Sequence, residues 1–116
     1  MKTHMYLEAV SSPQQVQLQL AADADRYAAL GAALRARPPR GTVTIARGSS
    51  DHAAAYLAYL IMARSGQLVT SLPMSLLTLY QAPLPLADML AISVSQSGRS
   101  PDLVEPMQRF QQAGAT

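Results

Sequence analysis

The 116-residue chain contains no cysteine and no tryptophan. Without cysteine there can be no disulfide, no thiolate metal site and no cysteine nucleophile. Aromatic residues make up only 5% of the sequence, so a core has to be built from Leu, Ala, Val, Ile and Met. No basic block interleaved with aromatics occurs, which argues against a nucleic-acid surface. Long apolar runs are also missing. The longest, Ala53 to Ala63, contains two tyrosines and is too short to span a bilayer. Met1-Lys2-Thr3-His4 lacks the apolar stretch of a signal peptide. There is no Walker motif, dinucleotide fingerprint or Ser-His-Asp elbow. These absences describe a soluble, cytoplasmic protein with no membrane or nucleic-acid partner and no metal or nucleotide cofactor.

What is present fits one globular domain at most. Hydrophobic residues make up 49% of the chain, and 9 basic against 7 acidic residues leave a net charge of +2. Arg35, Arg37 and Arg40 cluster where a helix should end, a position that suits the helix dipole.

Two stretches carry chemistry. Val43 to Ala46 reads as a short strand, Gly48 breaks it, Ser49 and Ser50 follow, and an alanine-rich helix is expected from Asp51 to about Arg64. A strand that ends in Gly-Ser-Ser at a helix N-terminus gathers free N–H groups, hydroxyls and a positive dipole end. That is an anion pocket, most naturally for phosphate. The device recurs: Leu90 to Val94 reads as a buried strand, Ser95-Gln96-Ser97-Gly98-Arg99-Ser100 follows, and Pro101 opens a helix to about Gln112. Serine hydroxyls donate to phosphate oxygens without adding charge, and Gly98 lets the backbone come close to a ligand. Helix capping would need only one hydroxyl per turn, which leaves the others for a ligand.

Arg47-Gly48-Ser49-Ser50-Asp51-His52-Ala53 together with Ser95-Gln96-Ser97-Gly98-Arg99-Ser100 resembles the sugar isomerase (SIS) domain. The nearest likeness is to glucosamine-6-phosphate deaminases and the isomerase half of glucosamine-6-phosphate synthase. The resemblance runs from about Met5 to Thr116 and covers only the front of a family that carries two such domains in tandem. It implies that Ser50, Ser95, Ser97 and Ser100 ligate a sugar phosphate, glucosamine 6-phosphate or fructose 6-phosphate. Ser49 and Gln96 would then touch the phosphate or the sugar's polar edge, with Gly48 and Gly98 as supporting backbone. Arg99 stands where many synthases carry Glu, and a cation there either strengthens phosphate binding or faces solvent. Arg47 either sits beside the anion or ties down the strand end. His52 has no second ligand at helical spacing and reads as a structural residue.

In chain order, residues 3–10 suggest a short helix that Ser11-Ser12-Pro13 interrupts, with Ser12 as the N-cap of the next. A long helix is then expected to about Ala36, with Val16, Leu20, Ala24, Tyr27, Leu30 and Leu34 as one apolar stripe. Pro38-Pro39 stops it. Leu68 to Leu72 is a second strand, Ser75 to Leu79 a short helix, and Ser100 should cap the last helix. Residues 1–40 thus form a helical segment and 41–116 a partial SIS domain. The alternation predicts an α/β fold with a parallel sheet; as a flavodoxin-like three-layer fold, truncated to about three strands, it would have strand order 2-1-3. That order brings both hydroxyl turns to one crevice.

No catalytic residue is assigned, because the family's Glu and His lie downstream of this stretch. The chain reads as a phosphosugar-binding part of an isomerase or deaminase; the alternatives are a regulatory sugar-phosphate sensor and a truncated, non-catalytic remnant. The third strand should be left with a bare apolar edge, from which a homodimer or higher homo-oligomer is expected.

Overall fold

The computed structural model describes residues 3–116, which divide into two units, the first ending at Pro38 and the second running Pro39–Thr116. The first unit consists of two helices, α1 (His4–Ala22) and α2 (Ala24–Ala36). Thr3 starts α1 by accepting the Tyr6 N–H at 3.2 Å. The helix then continues through Pro13, where the sequence suggested a break. Instead of capping a new helix, the Ser12 hydroxyl donates back to the Glu8 carbonyl at 3.0 Å, and Ser11 does the same.

The irregularity falls instead at Asp23, one residue wide, with φ −106° and ψ 10°. Hydrogen bonds from the Asp23 N–H to the Gln19 carbonyl and from the Tyr27 N–H to the Asp23 carbonyl carry the helical pattern across it. The Asp23 carboxylate pairs with Arg26 at 3.3 Å and caps nothing. The apolar stripe exists but is not covered: no residue of α1 or α2 is buried.

The second unit holds the sheet, made of β1 (Thr42–Ala46), β2 (Val69–Ser71) and β3 (Leu90–Val94). All pairs are parallel, as the alternation of strands and helices predicts, and the order is β2-β1-β3, the flavodoxin-like order expected. Helix α3 (Ser49–Ser65) covers one face, and α4 (Ser75–Thr78) with α5 (Pro101–Gln112) covers the other. Alternation along β1 divides its side chains between the layers. Val43 and Ile45 join Leu77, Leu103 and Phe110 in the core. Thr42 and Thr44 face α3, whose Ala54 is small enough to let the helix lie close. Burying threonine demands a partner for each hydroxyl. The Thr42 hydroxyl donates to Gln67 Oε1 at 2.6 Å, and Gln67 Nε2 donates to the Pro39 carbonyl at 2.8 Å.

Gly66, in the left-handed region at φ 70°, ends α3. The outer edge of β3 is not wholly bare. The Ala91 N–H donates to the Thr116 carbonyl and the Thr116 N–H to the Met89 carbonyl, both at 2.9 Å. Thr116 thus takes a parallel place beside Leu90. Beyond it, an open groove of about 670 Å³ follows the β3 edge, with Leu103, Met107 and Phe110 of α5 in its wall.

Candidate functional site

The two hydroxyl turns leave adjacent strands at the same end. The last rung of the β1–β3 ladder pairs Ala46 with Val94, so the residues after each strand start side by side. They enclose a cleft of about 270 Å³. Arg47, Gly48, Ser49 and Ser50 line it from the first turn, Ser95, Gln96, Ser97 and Ser100 from the second, and Leu103 closes it from α5. All six expected side chains and Gly48 therefore share one cleft. Gly98 lines the neighbouring groove along β3, which also shares Ser95 and Leu103 with the cleft.

The first turn differs from expectation in one respect: α3 begins at Ser49, not Asp51. Gly48 is the N-cap residue, at φ 59° and ψ −132°, a conformation that side chains rarely adopt. Glycine therefore makes the sharp strand-to-helix bend, and both serines fall in the first helical turn. Their N–H groups are among the first four of the helix, which have no intrahelical acceptor. Neither hydroxyl is used for capping, since α3 has no side-chain cap hydrogen bond.

The second turn is held by its own hydroxyls. Ser95 Oγ accepts the Gly98 N–H at 2.9 Å, and Ser97 Oγ accepts the Arg99 N–H at 3.3 Å. A hydroxyl that accepts from backbone keeps its own proton for another partner. Gly98 allows the bend at φ 64°. Ser100 does occupy the N-cap position of α5, with Pro101 next, but its hydroxyl makes no cap hydrogen bond. The expected capping role is corrected: the Ser100 hydroxyl is left for the cleft.

Ser50, Ser95 and Ser100 are half-buried, while Ser49, Gln96 and Ser97 are exposed at the mouth. The cleft is thus lined by both half-buried and exposed polar residues. Helix dipoles from α3 and α5 add positive potential at the same place. Arg99 and His52 are exposed. Among the described residues no group of three or more His, Asp or Glu side chains could hold a metal ion. No described helix is long and apolar enough to cross a membrane. One contact was not visible in the sequence: Arg47 Nη1 forms an ion pair with Asp102 Oδ2, across 55 residues of chain.

No protein-family model matches the chain, and no curated protein matches it. A solved structure does. The chain is 41% identical, with a TM-score of 0.84, to a protein from Silicibacter pomeroyi DSS-3 described as a "putative phosphosugar isomerase". The likeness covers 90% of this chain but 32% of the other, so the chain spans about a third of that protein's length.

Proposed function

We propose that the chain is a phosphosugar-binding domain of the SIS type, and that the cleft between its two hydroxyl turns holds the phosphate of an amino-sugar or ketose 6-phosphate. The observation that carries this reading is the convergence of Ser49, Ser50, Ser95, Gln96, Ser97 and Ser100 on one cleft. The likeness to a protein described as a phosphosugar isomerase supports the same ligand class.

The chemistry of the cradle follows from its atoms. A phosphate monoester carries close to two negative charges at neutral pH and needs several donors at once. Hydroxyls from both turns, the first N–H groups of α3 and two helix dipoles supply them. None of the six side chains is a base. Aldose–ketose isomerisation and amino-sugar deamination both need a base beside the carbonyl and an acid for ring opening. The cleft therefore binds and orients the phosphorylated end, and its six side chains supply no base for the chemistry.

A thermal melt tests the reading with glucosamine 6-phosphate, fructose 6-phosphate and inorganic phosphate. Ligand at 100 times its dissociation constant adds about 2.7 kcal/mol. In a unit this small that raises Tm by roughly ten degrees or more. The expected result is a rise with a sugar phosphate that inorganic phosphate does not match. No rise with any of the three contradicts the proposal.

The same reading includes a homodimer or higher oligomer. Apolar side chains are uncovered along α1, and Tyr56 and Tyr59 of α3 are each 66% exposed. Exposed apolar side chains gathered along a helix are suited to burial between chains. Light scattering should give at least twice the 12.4 kDa chain mass; a monodisperse monomer contradicts this part of the proposal.

A further inference from the structure

The cleft depends on how far apart its two turns stand, and the sheet fixes that only up to the Ala46–Val94 rung. Beyond this rung the chains part, because α3 lies on one face of the sheet and α5 on the other. The Arg47–Asp102 ion pair rejoins them. Arg47 is the first residue after β1, and Asp102 lies in the first turn of α5. Building on the phosphate-cradle reading, we propose that Arg47 and Asp102 are positioning residues: their ion pair braces the two hydroxyl turns at the separation a phosphate needs, and the guanidinium is held across the turns instead of being offered to the anion.

Both side chains are largely open to water, at 62% and 53% exposure. Exposed pairs of this kind add little to folding stability. A stabilising role therefore does not account for a contact across the site. Its position does, because small changes in separation alter several hydrogen bonds to one ligand at once. The donors of the cradle are the serine hydroxyls and the start of α3, none of which belongs to the pair. The cation of Arg47 is balanced by Asp102, so the cradle selects by geometry and dipoles more than by formal charge.

The test is a cycle of Arg47→Gln, Asp102→Asn and the double variant, titrated calorimetrically with glucosamine 6-phosphate and fructose 6-phosphate. A brace is lost whichever partner is removed. All three variants should therefore bind about fivefold more weakly than the parent, the double no worse than either single, in line with the upper range for an exposed pair. Their melting temperatures without ligand should stay within about five degrees of the parent. If Asp102→Asn instead tightens binding, Arg47 serves the phosphate directly and the brace is overturned. It is also overturned if Arg47→Gln weakens binding while Asp102→Asn leaves it unchanged.

Should the parent chain bind neither sugar phosphate, the cradle reading fails and the brace is judged on ligand-free spectra. Asp102→Asn should then still move the amide resonances of Gly48, Ser49 and Ser50, which lie on the other turn. Unmoved resonances there contradict the brace independently.

Discussion

Replacing Ser50 and Ser97 together by alanine is expected to weaken sugar-phosphate binding by about three orders of magnitude while leaving the fold intact. The two residues take one hydroxyl from each turn. A hydrogen bond to a charged group contributes about 1.5–3 kcal/mol, so each deletion alone should cost roughly 10- to 150-fold in affinity. The pair is chosen to spare folding. Ser50 makes no cap hydrogen bond in α3, and Ser97 accepts only a long bond from the Arg99 N–H at 3.3 Å. Ser95 would be a poorer probe, because its oxygen takes the Gly98 N–H at 2.9 Å and helps to shape the turn. Calorimetric titration of both singles and the double checks the expectation. Since both hydroxyls would act on one ligand, the losses need not add. Unchanged affinity in the double variant would remove the hydroxyls from the binding account altogether.

Phe110→Ala is expected to destabilise the second unit by about 3–5 kcal/mol, the usual cost of truncating a buried aromatic. Phe110 is the one aromatic side chain in this core cluster, so its removal leaves a large cavity. Phe110 is 1% exposed and packs with Val43, Ile45, Leu77 and Leu103, joining α5 and α4 to the central strand. Small domains hold only about 0.05–0.15 kcal/mol of stability per residue. The loss is therefore a large share of the total for residues 39–116. Urea unfolding followed by circular dichroism measures it. A change below about 1 kcal/mol would mean that α5 does not dock through this side chain.

Much of the second unit could be read from local chemistry. The runs Val43–Ala46 and Leu90–Val94 are short, apolar and closed by glycine or serine, which marks buried parallel strands. Ser100-Pro101 and Gly114 bracket α5 as expected, the alternation of strands and helices gave parallel pairing, and the flavodoxin-like fold gave the 2-1-3 order. The site followed from that order, because strands 1 and 3 are neighbours and both are followed by hydroxyl turns.

What escaped the sequence has identifiable causes. Proline at position 13 looked like a helix start, yet α1 continues through it, and the Ser12 hydroxyl expected as a cap bonds back to Glu8. The start of α3 was placed two residues late because Ser49 and Ser50 resemble caps, whereas Gly48 makes the bend. Ser100 sits at a cap position without using its hydroxyl as a cap, a distinction that depends on side-chain direction and not on residue type. The Arg47–Asp102 pair joins residues far apart in sequence, and no local pattern announces it. Thr116 beside β3 is likewise a tertiary contact.

The central claim is that both turns form one phosphate cradle, and an NMR titration with glucosamine 6-phosphate tests it most directly. The amide resonances to follow are those of Ser49 and Ser50 in the first turn and of Ser97, Gly98 and Arg99 in the second. A single cradle predicts that both groups move together and give one dissociation constant, with inorganic phosphate giving a weaker one. Movement of one turn without the other, or of neither at saturating ligand, would contradict it.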